Sequence, residues 1–223
     1  MAAARTLCGV LALVCLLAPR SASGQELADL DYEYLTFRGV GFDWGYLWPR
    51  RVEPTGSVAL RFDMGYAGPG LRIMPSVMYW SSPFEQSEIT ELEDHIEALI
   101  GDQTGGVPPD VDLGSIEWQD IAIGLDAHVV WDTLFGILTY GGLGIAAHIL
   151  DGSGDAIDGT LVDDLLDSVT AGFNLHLGME YPISPRLRVY SVGKYEVLSD
   201  FQYFTARAGL QFMWGPMAPG EER

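Results

Sequence analysis

The chain has 223 residues, with 31 Asp and Glu against 12 Lys and Arg, for a formal charge of −19. So large an acidic excess excludes nucleic acid as a partner. Beyond residue 24 no segment reaches the roughly 18 consecutive apolar residues of a membrane-spanning helix, so any membrane crossing must be made by strands.

Residues 1–24 are expected to be a cleaved signal peptide. Arg5 precedes the apolar run Leu7–Leu17, and Pro19 and the small residues Ser21-Ala22-Ser23-Gly24 lead to Gln25. Val14 before Cys15 argues against a lipoprotein. Both cysteines, Cys8 and Cys15, lie inside this segment, so the mature chain has none and must be stable without disulfides. Removing Arg5 and Arg20 leaves 10 basic and 31 acidic side chains, a charge of −21.

Residues 25–34 form a short acidic lead-in, expected to be periplasmic. A barrel is expected over 35–214, followed by a polar tail over 215–223. The first strand, about Leu35–Trp48, changes apolar register at Arg38-Gly39, as a β-bulge does. The second, about Ser57–Tyr66, sets Val58, Leu60, Phe62, Met64 and Tyr66 against Ser57, Ala59, Arg61 and Asp63. The third, Leu71–Trp80, alternates again, with Pro75 awkward inside a paired strand.

A long loop is expected over 81–115. Within it Ile89, Leu92, Ile96, Leu99 and Ile100 recur at helical spacing among acids, predicting a short amphipathic helix over about 88–100. With an acidic polar face, it suits a cap over the barrel mouth better than a helix lying on anionic headgroups. The fourth strand is about Ile116–Trp131 and the fifth about Gly136–Leu150. An acidic, glycine-rich loop is expected over 150–167.

The clearest alternation lies between Ser168 and Tyr181. Val169, Ala171, Phe173, Leu175, Leu177, Met179 and Tyr181 form one face; Thr170, Gly172, Asn174, His176, Gly178 and Glu180 form the other. Strands over about Arg186–Leu198 and Tyr203–Trp214 complete a set of eight. Long connections after strands one, three and five, and short ones after two, four and six, suit an up-and-down barrel with its long loops at one end.

Lipid and a protein core make different demands on the two faces. The apolar register carries almost no charge across strands two to eight, as lipid requires. The polar register is small residues with scattered opposite charges, which can fill a narrow eight-stranded interior. A lumen network is therefore expected from Arg61, Asp63, Arg72, Asp126, His128, Asn174, His176, Glu180, Arg188, Lys194, Glu196, Arg207 and Gln211. Such a lumen leaves no wide pore. A soluble ligand-binding barrel would reverse the two faces.

The chain resembles the eight-stranded outer-membrane β-barrel domain family, the OmpA/OmpX-like group. The resemblance covers Leu35 to Trp214 and rests on Y-G-G-L-G-I-A-A-H, V-T-A-G-F-N-L-H-L-G-M-E-Y and the aromatic-ended A-G-L-Q-F-M-W. It implies an all-β, eight-stranded, antiparallel, up-and-down transmembrane barrel in the cell outer membrane. Outer-membrane lipid and the barrel-assembly machinery are the implied partners. The nine residues after Trp214 depart from the family, where that aromatic strand is terminal.

Chemistry-bearing motifs are sparse. His128, His148 and His176 share the inward register but no short spacing, so hydrogen bonding within the lumen is expected rather than a metal site. Asp151, Ser153, Asp155 and Asp158 hold calcium-loop oxygens but lack the glycine and final glutamate of an EF-hand. A solvated acidic turn is the expected reading, and no cofactor is expected. The expected role is non-catalytic, structural or surface-interacting, with the external partner unspecified. The alternative is an outer-membrane enzyme, lipid A-modifying or protease-like. For it, Ser153 and His148 are the rim candidates, and a Ser or Asp oxygen within about 3.2 Å of His148 at the rim would support it.

Overall fold

The computed structural model describes residues 35–68, 70–105, 110–133, 136–157, 159, 166–199 and 201–214. The expected signal peptide, lead-in and tail lie outside them. Eight strands follow in chain order: β1 Leu35–Pro49, β2 Thr55–Gly68, β3 Leu71–Pro83, β4 Glu117–Asp132, β5 Leu138–Ser153, β6 Ser168–Ser184, β7 Leu187–Val197 and β8 Gln202–Met213. Helix α1, Gln86–Thr104, lies between β3 and β4. Every strand pairs antiparallel with its sequence neighbour, and β1 pairs with β8, closing the barrel.

Closure leaves no open sheet edge, so the ladders run continuously around the wall. The wall is polar inside and apolar outside. On β6, Val169 is 76% exposed, Phe173 52% and Leu175 59%, while Asn174 is 0% and Glu180 1% exposed. The same split runs around β1 to β8 and leaves a continuous apolar band far beyond the few hundred Å² that soluble proteins tolerate. This inversion rules out the soluble ligand-binding barrel and defines a transmembrane one.

Aromatic groups border the band at both ends, as bilayer interfaces favour. Near the chain ends Phe37 packs edge-on against Trp214 at 4.9 Å, and Phe212 lies 5.8 Å from Trp214. At the opposite end Tyr46, Trp48 and Phe204 pack in series at 5.1 and 5.8 Å.

Two irregularities fall where the sequence placed them. The β1–β2 register shifts between Leu35 and Gly39. The β2–β3 register shifts between Arg61 and Tyr66, opposite Pro75, whose missing N–H cannot join the ladder. The second shift has a consequence that alternation did not reveal. Gly65 takes a positive φ of 76°, and Tyr66 turns in to be buried rather than facing lipid.

The connections are less asymmetric than expected. Those after β3 and β5 are long, at 33 and 14 residues, but the one after β1 has five, no more than the five after β4. It is stitched to its neighbour instead. Val52 bridges Phe84, Glu53 N donates to Pro83 O at 2.9 Å, and Glu85 N donates to Arg51 O at 3.0 Å.

Both long connections also begin later than expected. Ser81 to Pro83 pair with Gln119 to Glu117, and Leu150 to Ser153 pair with Asp120 to Glu117, so strands stand above the membrane band. Helix α1 runs past Gly101 and ends where Gly105 adopts φ 63°. Its Ile89 is buried with Leu113, Ile116 and Ile157, while Leu92 and Ile96 pack beside them. The helix thus caps the long-loop end.

The wall also has to make room for its filling. A Cβ on Gly178 would run into the Tyr140 ring and the Ser191 carbonyl. Gly178→Ala should therefore lower the unfolding free energy by about 1–3 kcal/mol, the usual cost of overpacking. Gly56→Ala, whose Cβ would meet nothing closer than 3.7 Å, should leave it unchanged. Urea titration of the bilayer-inserted protein measures both.

Candidate functional site: the charged lumen and its cap

All thirteen residues expected in the lumen are buried. They are brought together in three linked groups. Toward the short-turn end, Glu180 of β6 accepts from Arg61 Nη2 at 2.8 Å, from Arg72 Nη1 and Nη2 at 3.0 and 2.6 Å, and from Arg188 Nη1 at 3.4 Å. Asp63 receives Arg38 at 3.2 Å and lies 3.8 Å from Arg72. Gln211 joins the two carboxylates: its Nε2 donates to Asp63 at 3.1 Å and its Oε1 accepts from Arg61.

The middle group is two ion pairs and an aromatic stack. Lys194 Nζ lies 2.8 Å from Asp126, and Arg207 Nε 3.1 Å from Asp43. Asn174 donates to Asp126 at 3.0 Å and its oxygen faces His176 Nδ1 at 2.9 Å. His128 stacks flat on Tyr140 at 4.4 Å and lies 4.7 Å from His176. These two histidines, which no short sequence spacing links, are neighbours because both pair with Gly142 of β5, whose missing side chain lets the rings meet across it. The Arg61 guanidinium lies 3.2 Å over the Tyr190 ring, and Tyr190 donates to Asp43 at 2.7 Å. A void of about 20 Å³ remains among Arg61, Asp126, His128 and His176, room for about one water.

The third group lies toward the long-loop end. His148 Nδ1 is 2.8 Å from Asp120 Oδ2, which also accepts from Trp80 Nε1 at 3.1 Å. His148 Nε2 faces Glu196 Oε1 at 3.6 Å. An aromatic plug of Trp80, Trp118, Phe201 and Tyr203, with ring contacts of 5.1–6.4 Å, covers this group.

Several members escaped sequence reasoning. Arg38 sits at the bulge, where alternation breaks down. Asp43 and Asp120 occupy inward positions on β1 and β4, so periodicity could have found them. Their partners, Arg207 and His148, are too distant in sequence for any local signal.

The rim pair expected of an enzyme is not assembled. Ser153 pairs with Glu117 and His148 with Ala122, five residues apart along both strands, or about 17 Å. Asp120 meets the distance criterion instead, yet both side chains are fully buried beneath the plug and both imidazole nitrogens face carboxylates. Of the calcium candidates, Asp151 and Ser153 belong to β5, Asp151 accepts from Gln119, and Asp158 lies outside the described residues. Among the described residues, no group of three or more His, Cys, Asp or Glu side chains could hold a metal ion.

The cap spends some of its acids internally. Glu97 Oε1 accepts from Val111 N at 2.9 Å and Glu93 Oε1 from Leu113 N at 2.8 Å, folding 110–116 back along α1. Of the other cap acids, Glu88 pairs with Arg51 at 3.8 Å and Asp112 accepts from Gly114 N at 3.0 Å, while Glu91, Asp94, Asp102 and Asp110 are exposed.

A closed wall, apolar outside and filled with paired charges inside, defines an eight-stranded transmembrane β-barrel, the fold of the small outer-membrane barrels. No family model matches the chain, and no curated protein does. Among solved structures it is similar to Ail, the attachment invasion locus protein of Yersinia pestis. The identity is 11%, over 80% of this chain and 99% of that one, with a TM-score of 0.48. It is also similar to Neisserial surface protein A, at 15% identity over 79% and 97%, with a TM-score of 0.49. A major outer membrane protein from Thermus thermophilus matches at 11% over 79% and 99%, also with a TM-score of 0.49.

Glu180 faces three guanidinium groups, so its removal strands buried positive charge. Glu180→Gln should cost about 3–5 kcal/mol in urea unfolding, the range for breaking a buried ion pair. Glu117→Gln, at the exposed contact with Ser81, should cost about 0–1 kcal/mol.

Proposed function

We propose that this chain is a non-catalytic outer-membrane barrel of Gram-negative type that presents an acidic folded cap for surface interaction. One observation carries the reading: the lumen is filled by paired charges and plugged by aromatics, while the long-loop end is built into a packed structure. A barrel filled in this way has no room for a substrate or a solute stream. Between Phe84 and Ile116 there are nine carboxylates and no Lys or Arg. With α1 pinned by Ile89 and by the Glu93 and Glu97 contacts, those charges form a fixed field, which attracts a basic partner and speeds its encounter. The expected orientation, long loops outward, gives such a partner access.

Neutralising Glu88, Glu91, Asp94 and Asp102 together to their amides spares the two structural glutamates. This variant should bind a lysine-rich test peptide about tenfold or more weakly than wild type at low salt. The difference should vanish near 1 M salt, where charges are screened within about 3 Å. Equal binding by both proteins at low salt would remove the cap from the account. Stepwise conductance in planar bilayers would contradict the filled lumen.

A further inference from the structure

His148 of β5 stands between two carboxylates at the long-loop end of the lumen. Its Nδ1 lies 2.8 Å from Asp120 Oδ2 of β4, its Nε2 lies 3.6 Å from Glu196 Oε1 of β7, and all three side chains are buried. β6 runs between β5 and β7, and the ring reaches across it at Gly172, where a Cβ would run into His148 Nε2 and Glu196 Oε1. Among the described residues the ring is the only ion-pair partner of either carboxylate. The next cations along the lumen, Lys194 and Arg207, lie 2.8 and 3.1 Å from Asp126 and Asp43.

A neutral imidazole has one N–H and one lone pair. With its Nδ1–H donated to Asp120, the Nε2 lone pair points at the Glu196 carboxylate, and two buried negative charges share an uncharged ring. A ring protonated on both nitrogens turns an N–H to each carboxylate and offsets their repulsion. Of the other elements around the ring, β8 brings one titratable group, Tyr203, 6.3 Å away ring to ring. β3 brings Trp80 and β6 brings Gly172, which do not titrate; His176 of β6 is held by Asn174 at 2.9 Å.

The same carboxylate oxygen that holds the ring also holds the plug. Asp120 Oδ2 accepts from Trp80 Nε1 at 3.1 Å. Trp80 meets the rings of Trp118, Phe201 and Tyr203 at 6.4, 5.8 and 6.2 Å. Trp118 in turn meets Phe84, just before the cap helix, at 5.3 Å.

We propose that Asp120, His148 and Glu196 form a proton-operated lock on the long-loop end. With both ring nitrogens protonated, His148 ties β4 to β7 and Trp80 is seated. Raising the pH takes the Nε2 proton to solvent, leaves both carboxylates facing a neutral ring, and loosens Trp80 and the plug around it. The lock holds while the proton is bound and fails as pH rises. It acts on the barrel mouth whatever the cap binds.

Hydrogen exchange of the Trp80 indole N–H reads the lock, by NMR on the protein folded in bilayer nanodiscs and corrected for base catalysis. Trp80→Phe assigns the resonance. From about pH 7 to about pH 10, wild-type protection should fall about tenfold or more, the change that one unit of proton linkage carries. Glu196→Gln offers an amide N–H to Nε2 and satisfies a neutral ring, so its protection should not change over that range. Tyr203→Phe should fall as wild type does. Constant wild-type protection overturns the proposal, as does an equal fall in Glu196→Gln. No fall in Tyr203→Phe overturns it too, since the phenol would then be the switch. Nitrogen-15 spectra of the four histidine rings in wild type decide the matter even where a variant fails to fold. One ring should carry a proton on both nitrogens at about pH 8, well above where an ordinary histidine does, and four neutral rings there overturn the lock.

Discussion

Glu180 is the point on which the lumen turns. One carboxylate on β6 gathers guanidinium groups from β2, β3 and β7, tying together strands far apart in sequence. Buried charges are costly unless paired and hydrogen-bonded. A lipid-embedded barrel has no water-facing exterior to which these side chains could retreat, so they pair inward. Asp63, the Asp126–Lys194 pair and the Asp43–Arg207 pair extend the same solution along the axis.

Small residues make that pairing possible. A Cβ on Gly144 would collide with the Asp126 carboxylate and the Asn174 amide. Gly172 leaves the same kind of space for the His148 ring, as Gly178 does for Tyr140. Stability in a chain whose cysteines both lie before residue 25 is thus assigned to a closed ladder and a matched filling. The cap applies the same economy at the long-loop end, where Glu93 and Glu97 support backbone while their neighbours face outward.

The sequence made the fold legible because a barrel in lipid leaves a period-two record on every strand. Val169 to Tyr181 shows it most clearly, with seven outward apolar positions and an inward set ending in Glu180. The inward positions could therefore be named one by one. Which of them touch could not, since Asp43 meets Arg207, and Asp120 meets His148, only through closure and stagger. Alternation failed at Arg38 and Tyr66, where bulges change the register, and the spacing of His128 and His176 did not reveal that both pair with Gly142.

The inverted wall can be measured directly. A chain prepared from residue 25 onward holds no cysteine, so single cysteines placed from Ala171 to Glu180 can each carry a spin label in a bilayer. Labels at 171, 173, 175 and 177 should be relaxed strongly by oxygen, which partitions into lipid, and weakly by a water-soluble nickel chelate. Labels at 174 and 176 should be reached by neither. Strong relaxation by the chelate at the odd positions, or loss of the period of two, would contradict a lipid-facing wall around a filled, charged lumen.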